Sequence, residues 1–305
     1  MGRLFGTDGV RGVAGSELTI GLATKLGQAG AYVLTKEQAH KPTIIVGCDT
    51  RISGGMLASA LMAGICSVGA DAIFAGVMPT PAIAYLTRKH KVDAGVVISA
   101  SHNPCEYNGI KFFNSDGYKL SDGIEHEIES YILGEKAIEE LPTHGKVGYV
   151  SANHNAVEDY VAFAVSTIDC RLDGMKIAVD CANGASYETA FKALNKLGAN
   201  VEAIHNTPDG VNINHMCGST HMESLQAYVT SIGADIGIAF DGDADRMLAV
   251  DENGKLIDGD QIMAACAKFM RDNGTLKQNT LVATVMSNLG LFMAGEKIGI
   301  NIPRT

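Results

Sequence analysis

Three stretches of the chain repeat one hydrophobic pattern: an apolar run, a helix-like stretch, a glycine-containing turn and a second apolar run. They span residues 43–76, 175–205 and 279–303. The apolar runs are short, nearly continuous and rich in β-branched residues, as is typical of buried parallel strands. The helix-like stretches are rich in alanine, leucine and methionine, which favour helices. The pattern therefore predicts βαβ units with right-handed crossovers.

The first two copies of the pattern continue in the same way. A predicted helix at 82–90 leads into DAGVVISASHNP (93–104), and one at 222–232 leads into ADIGIAFDGDADR (234–246). Each copy thus ends in an apolar strand followed by a polar loop. In open α/β sheets, ligands bind outside the carboxyl ends of the strands. The loops SASHNP and DGDADR are therefore expected to be equivalent parts of one site.

The third copy ends at Thr305, directly after its second apolar run. Half a unit buries its apolar faces poorly, so this part is expected to be incomplete and the chain to be a shortened form. We predict an α/β fold of repeated mixed or parallel-sheet α-β-α units, two complete and a third incomplete. The expected domains are residues 1–150, 151–254 and 255–305.

The loop DGDADR places carboxylates at alternate positions, Asp241, Asp243 and Asp245. Alternate residues of an extended segment project to one side, so these charges would repel one another unless a cation binds them. Carboxylate oxygens favour a hard divalent cation such as Mg²⁺, although Mn²⁺ or Zn²⁺ could occupy the same ligands in vitro. The spacing also resembles an EF-hand loop, but Arg246 stands where that loop requires glycine. A solvated acidic turn is the remaining alternative.

The loop SASHNP contains the hydroxyl of Ser101, and Pro104 restricts the backbone of the loop. The hydroxyl could be a nucleophile or a phosphate carrier, or simply part of a structural turn. A hydrolase elbow would read G-x-S-x-G, and both glycines are missing. A phosphorylated serine would carry about −1.5 to −2 charges and need cationic partners. The aspartates could bring a metal ion, and His102, Lys111 and Arg246 could bring positive groups.

The N-terminal segment RLFGTDGVRG (3–12) places glycines around Thr7, Asp8 and Arg11. Glycines permit close backbone approach to a ligand, and Arg11 could bind a phosphoryl group through two nitrogens. The segment lacks G-x-x-x-x-G-K-[ST], so it is not a P-loop. A structural glycine-rich turn remains an alternative. Arg51, in GCDTRISGG, is expected to hold a helix start rather than to act in catalysis.

Composition narrows the function further. The formal net charge of −10 argues against a nucleic-acid-binding face, although a local positive pocket could still bind a small anion. The seven cysteines include no C-x-x-C pair, which argues against a disulfide framework or a zinc site. No apolar run reaches 18 residues and the N-terminus has no signal-like apolar region, so a cytoplasmic protein without a membrane partner is expected.

Taken together and in this order, the motifs FGTDGVRG, ISASHNP, NGIKFF, VDCANGA and AFDGDADR resemble those of the α-D-phosphohexomutase family. The resemblance covers essentially the whole chain. The motif FGTDGVRG is similar to the corresponding motif of one branch of the family. That branch interconverts glucosamine 6-phosphate and glucosamine 1-phosphate, on the route to UDP-N-acetylglucosamine and the cell wall. The branches that act on glucose or mannose phosphates remain an alternative.

The resemblance implies a phosphoserine and a metal ion. Ser101 matches the serine that is phosphorylated in the active enzymes. Asp241, Asp243 and Asp245 match the ligands of Mg²⁺, with the phosphate on Ser101 completing the metal site.

The resemblance also implies roles for four basic groups. Lys111 and Arg11 match residues at the transfer centre, with Lys111 a candidate general acid or base. His102 and Arg246 match residues that contact the phosphoserine.

The implied mechanism consists of two phosphoryl transfers through a glucose or glucosamine 1,6-bisphosphate. The family's sugar-contacting loop and phosphate-binding fourth domain should lie beyond Thr305, so poor turnover of sugar phosphates is expected from this chain. A metal-dependent phosphatase and a non-enzymatic phosphosugar-binding protein are the competing hypotheses. The expected partner is a small phosphosugar, and the oligomeric state is left open.

Overall fold

The computed structural model describes residues 4–6 and 8–305, so Thr7 of the glycine-rich segment lies outside the described residues. The helices, in chain order, are α1 (Ile20–Thr35), α2 (Ser53–Ser67), α3 (Thr80–His90), α4 (Asp122–Ile132), α5 (Ala156–Ser166), α6 (Thr189–Lys196), α7 (Glu223–Ile232), α8 (Gly259–Asp272) and α9 (Leu289–Ile298). The strands are β1 (Val10–Val13), β2 (Thr43–Cys48), β3 (Asp71–Val77), β4 (Ala94–Ile98), β5 (Tyr107–Asn114), β6 (Val150–Ala152), β7 (Lys176–Asp180), β8 (Asn200–Ile204), β9 (Ile236–Phe240), β10 (Met247–Asp251) and β11 (Leu256–Ile257).

The first sheet has the strand order β1-β5-β4-β2-β3-β6. Strands β4, β2, β3 and β6 are parallel, and β5 and β1 are added antiparallel at one edge. One face packs against α1, α2 and α4 in the main core, and the other face packs against α3. Helices α1 and α2 cross closely at Gly27 and Gly64, where an added Cβ would lie 2.1 Å from a carbonyl oxygen of the facing helix.

The second sheet repeats this plan with the order β11-β10-β9-β7-β8. Strands β8, β7 and β9 are parallel, and β10 returns antiparallel beside β9. Helix α7 covers one face and α6 the other. Helix α5 contacts both α3 and α6, and so joins the two sheet units.

The two polar loops occupy the same place in both units. SASHNP connects β4 to the antiparallel strand β5, and DGDADR connects β9 to the antiparallel strand β10. The sequence pattern located the parallel strands and their helices. The predicted α/β fold of repeated α-β-α units is confirmed for the first two copies.

The third copy of the pattern differs from the prediction. Helix α9 forms, but the strands predicted at 279–288 and 298–303 are wrong. Only isolated parallel bridges occur there, between Thr280 and Asn301 and between Ala283 and Arg304. Two short segments without a further strand beside them are marginal as a sheet.

Helix α8 precedes this third copy and was not predicted. Its start carries a capping box, in which the Asp258 side chain accepts from the Gln261 backbone and the Gln261 side chain accepts from the Asp258 backbone. Aspartate followed three residues later by glutamine was the available signal.

Candidate functional site

The SASHNP and DGDADR loops meet between the two sheet units. Ser101, 3% exposed, donates a hydrogen bond from Oγ to Asp241 Oδ2 at 2.8 Å. The contact joins residues 140 positions apart, one from each unit. The equivalent loops of the two copies therefore form one polar centre.

Arg246 binds both loops at once. Its Nη2 lies 2.6 Å from Ser101 Oγ, 2.6 Å from Asp241 Oδ2 and 2.8 Å from His102 Nδ1. Because the guanidinium can only donate, Nδ1 of His102 accepts and the ring proton lies on Nε2. Burial and the nearby Arg246 charge lower the pKa of His102, which favours this neutral ring. His102 thus has an N–H left to offer an anion.

Lys111 lies on β5, paired with Val97 of β4, and points to the same centre. Its Nζ is 2.9 Å from Asp243 Oδ2, which also accepts from the Thr80 hydroxyl at 2.7 Å. Burial works against the lysine charge, but Asp243 and Asp8 outweigh it and raise the pKa of Lys111. Lys111 is therefore a charged proton donor at neutral pH.

Arg11 reaches this centre through Asp8. Arg11 lies on β1 opposite Gly109 of β5, and its guanidinium forms an ion pair with Asp8 Oδ2. The same oxygen lies 2.9 Å from Lys111 Nζ. Burial alone would raise the pKa of Asp8, but Lys111 and Arg11 lower it. The Arg11 side chain is 29% exposed.

The aspartates of DGDADR have the arrangement of a metal site. One oxygen each of Asp241, Asp243 and Asp245 lies within 4.8 Å of the others. Oδ1 of Asp243 is buried and has no hydrogen-bond partner among the described residues, a costly state that a cation would relieve. Burial and the two neighbouring carboxylates raise the pKa of Asp245. The oxygen-only donor set and the unpartnered atom fit a hard divalent cation.

The charges near Ser101 are almost balanced without a phosphate. Four carboxylates, on Asp8, Asp241, Asp243 and Asp245, face three cations, on Arg11, Lys111 and Arg246. A phosphoryl group on Ser101 would add about −1.5 to −2 charges. A divalent cation on the aspartates would offset that addition.

A buried ion pair between Asp49 and Arg51 supports the backbone of the Ser101 turn. Asp49 and Arg51 pair with both side chains fully buried, and Ser99 donates its hydroxyl to Asp49. The Arg51 Nη2 donates to the carbonyls of Ser101 and Asn103. The expectation that Arg51 holds a helix start is thus incomplete: its carbonyl accepts from the first turn of α2, but its guanidinium holds the Ser101 loop.

An equivalent aspartate supports the second unit. Asp180 is the last residue of β7, and Asp49 directly follows β2. Asp180 accepts a hydrogen bond from the backbone N–H of Ala182, just as Asp49 accepts one from the backbone N–H of Arg51. Asp180, His205 and Cys217 bring possible metal-ligand atoms within 4.8 Å of one another. However, the Asp180 carboxylate already accepts from two backbone N–H groups and lies 2.9 Å from His205 Nδ1. These bonds account for the cluster as a loop anchor.

The structure brings together Ser101, His102, Lys111, Arg246 and the three aspartates, with Arg11 joined through Asp8. Sequence reasoning did not identify Thr80 or Asn214, whose side chains also reach these loops. Neither stands in a motif, so no sequence signal could have found them. Among the described residues, no helix is long and apolar enough to span a bilayer.

Comparison with known proteins gives matches along the chain. Residues 2–139, 157–254 and 258–305 match the models of α/β/α domains I, II and III of phosphoglucomutase/phosphomannomutase. Among solved structures, a phosphoglucomutase/phosphomannomutase family protein from Burkholderia thailandensis matches with a TM-score of 0.82 and 26% identity. That match covers 99% of this chain and 65% of the other.

Curated relatives are more similar. The phosphoglucosamine mutases of Clostridium novyi and Clostridium acetobutylicum are 63% and 61% identical over 305 residues. Each match covers 100% of this chain and 68% of the relative. The chain therefore spans about two thirds of the length of these relatives.

Proposed function

Because the chain belongs to the phosphoglucomutase/phosphomannomutase family of isomerases, we propose that it carries the transferable phosphoryl group of a phosphoglucosamine mutase on Ser101. The single observation that carries the proposal is the position of Ser101 Oγ, 2.8 Å from Asp241 and 2.6 Å from Arg246. The hydroxyl thus lies between a carboxylate cluster that fits a cation and a guanidinium that fits a phosphate.

The proposed reaction moves two phosphoryl groups. In the first transfer, the bond between phosphorus and Ser101 Oγ breaks, and a bond forms from phosphorus to a hydroxyl oxygen of glucosamine 6-phosphate or glucosamine 1-phosphate. The proton of the attacking hydroxyl passes to water as that bond forms, and Ser101 Oγ takes up a proton from Lys111 as it leaves phosphorus, so the number of protons is unchanged once water reprotonates the lysine. The resulting 1,6-bisphosphate turns around, and Ser101 Oγ takes the other phosphoryl group. Such transfers depend mainly on positioning and charge neutralisation.

The residues around Ser101 supply much of that positioning. Arg246 would hold the phosphoryl oxygens from one side, and the N–H of His102 is available to donate from the same side. Lys111, charged because of Asp243 and Asp8, would donate to the oxygen that leaves phosphorus. In the reverse direction the lysine would receive that proton back, as microscopic reversibility requires.

The proposed cofactor is Mg²⁺ on Asp241, Asp243 and Asp245, with the phosphoserine oxygen beside it. A cation there would neutralise charge on the phosphoryl group during transfer. The unpartnered Oδ1 of Asp243 supports this assignment. The proposed activator is glucose 1,6-bisphosphate or glucosamine 1,6-bisphosphate, which would load Ser101.

The proposed sugar is glucosamine phosphate, because the relatives at about 60% identity carry the name phosphoglucosamine mutase. The alternative, glucose or mannose phosphate, follows from the broader family match. Poor turnover of sugar phosphates by these 305 residues stays a prediction. The loading of Ser101 can be tested directly, on this chain and on a version with the full length of the relatives.

The test is intact mass and peptide mapping before and after incubation with glucose 1,6-bisphosphate and Mg²⁺. We expect one phosphoryl group on the peptide that contains Ser101. The Ser101→Ala variant should take up none, and Asp243→Ala should lose the uptake. Exposed Ser16, outside the site, supplies a matched Ser16→Ala control that should load normally.

The outcomes separate the competing functions. Phosphate retained on Ser101 supports a mutase, whereas steady release of inorganic phosphate from the bisphosphate would support a phosphatase. No phosphate on Ser101, in this chain and in a version with the full length of the relatives, would refute the proposed role of Ser101.

A further inference from the structure

The carbonyl groups of the Ser101 turn are held from two domains. Arg51 Nη2, in the first unit, donates to the carbonyls of Ser101, at 3.2 Å, and of Asn103. Asn214 Nδ2, in the second unit, donates to the same carbonyls, at 2.8 and 3.1 Å. One side-chain amide therefore connects the second unit to the backbone of the residue proposed to carry the phosphate.

The turn needs this support because its backbone is strained. Ser101 has φ = +54°, in the left-handed region that non-glycine residues rarely occupy. Such a conformation is unfavourable for a non-glycine residue and persists only where the surroundings impose it. The direction of Ser101 Oγ towards Asp241 depends on that conformation.

Asn214 is itself firmly placed. Its backbone N–H donates to Ala182 at 2.9 Å, and the loop that carries it is fixed where Gly218 donates to Asp180 at 3.0 Å. Asn214 is 8% exposed and has φ = +58°, which asparagine tolerates better than most residues. The side-chain amide of Asn214 is thus buried and held in place by the second unit.

We propose that Asn214 is a positioning residue that sets Ser101 Oγ against the aspartate loop across the domain boundary. The inference rests on the proposed phosphoryl transfer and adds a residue that touches neither the phosphoryl group nor the cation. Arg51 holds the turn to its own sheet, but it cannot align the turn with the other sheet. Asn214 supplies that alignment.

The principal variant is Asn214→Asp. Aspartate has nearly the same shape and tolerates the same backbone, but it presents oxygens to two carbonyls that need a donor. The second variant, Asn214→Gly, removes the side chain without adding charge and keeps φ > 0 accessible. The matched control is His215→Ala, an exposed neighbour in the same loop.

Two measurements test the proposal, and thermal unfolding of each variant first checks that the protein is folded. The first is the rate of Ser101 phosphorylation at varied glucose 1,6-bisphosphate in saturating Mg²⁺. We expect both Asn214 variants to lower the saturating rate about 10- to 100-fold, because a misplacement of about 1 Å can cost 10²-fold. The half-saturating bisphosphate concentration should change much less, and His215→Ala should match the wild type.

The second readout is hydrogen–deuterium exchange of the peptide that spans residues 99–106, without any sugar phosphate. The amides of this turn should exchange faster in both variants while core strands such as β4 keep their protection. This measurement does not require phosphorylation. It therefore still supports or refutes the positioning role if the wild type fails to load Ser101, a failure that would count against the proposed function alone.

A purely structural role predicts a different result. The phosphorylation rate would then fall only in proportion to the folded fraction, and exchange would rise throughout the protein. That result would overturn the proposal. Wild-type rates and wild-type exchange of the 99–106 peptide in both Asn214 variants would overturn it as well.

Discussion

Ser101 Oγ and Asp241 Oδ2 lie 2.8 Å apart although 140 residues separate them in the chain. Each follows the parallel strand, β4 or β9, that precedes the antiparallel returning strand of its unit, so the pair joins equivalent positions of two copies. One copy supplies a hydroxyl and the other supplies carboxylates.

Changing Asp243→Asn should weaken divalent-cation binding at least tenfold, or about 1.4 kcal/mol. The variant removes the charge of the buried aspartate whose Oδ1 has no partner among the described residues. Titration with Mn²⁺, followed by electron paramagnetic resonance, measures the affinity. The exposed Asp116→Asn variant should bind like the wild type. An unchanged Mn²⁺ affinity in Asp243→Asn would show that the cation binds elsewhere.

Changing Lys111→Met should lower the free energy of unfolding at neutral pH by about 3–5 kcal/mol, because it leaves the buried Asp243 charge without its ammonium partner. Urea unfolding measures the loss. The control is Lys119→Met, which removes a half-exposed ammonium that lies 3.5 Å from Glu125 and should cost less than about 1 kcal/mol. Equal losses in the two variants would contradict this account.

The cost of Lys111→Met should depend on pH. Burial opposes ionisation of Asp243, but Lys111 and the Thr80 hydroxyl hold the pKa of Asp243 below its ordinary value. A depressed carboxyl pKa contributes stability above the unfolded-state pKa, about 3.9, and this contribution is lost as pH falls through the folded-state value. The stability difference between wild type and Lys111→Met should therefore shrink below about pH 4. A difference that stays constant down to pH 2 would show that Asp243 is not its source.

Changing Gly242→Ala should slow Ser101 phosphorylation about tenfold or more. An added Cβ would lie 2.6 Å from both the Ser101 carbonyl oxygen and Asn214 Nδ2, so the two loops would have to separate. The control is Gly259→Ala at the start of α8, where a Cβ meets nothing within 4 Å. Peptide mapping after timed incubation with glucose 1,6-bisphosphate measures the rates. A normal rate in Gly242→Ala would mean that loop contact is not needed.

Two glycines of α2 should respond in opposite directions to alanine. Gly55→Ala meets nothing within 4 Å and should raise the free energy of unfolding by about 0.5–1 kcal/mol, the usual helix preference for alanine. Gly64→Ala would place Cβ 2.1 Å from the Thr24 carbonyl and should lower stability by about 1–3 kcal/mol. Urea unfolding of both variants tests the close crossing of α1 and α2. Similar effects at the two positions would argue against it.

The sequence predicted the parts of the fold that leave a simple pattern. The central parallel strands β2, β4, β7 and β9 are apolar along most of their length and were visible as nearly continuous runs, and β3 and β8 were visible as the shorter runs that follow a helix. The antiparallel strand β5 was given no bounds because Asn108, Lys111 and Asn114 interrupt its apolar pattern. The third copy had apolar runs without enough neighbouring strands to form a sheet.

The meeting of the two polar loops was predictable because the loops are equivalent in a repeated unit. The contacts of Thr80 and Asn214 were not. Each side chain comes from a segment without a recognisable motif, and each reaches across to the other unit. Such contacts depend on how the two sheets are oriented, which no local pattern records.

The placement of hydroxyl and carboxylates on separate units has a mechanical consequence. Neither sheet by itself sets the distance from Ser101 to Asp241, so a small rotation of one unit against the other would change it while both cores stayed intact. A displacement of about 1 Å at such a centre can cost about a hundredfold in rate. A change in the orientation of the two units would therefore separate Ser101 Oγ from Asp241 without unfolding either half.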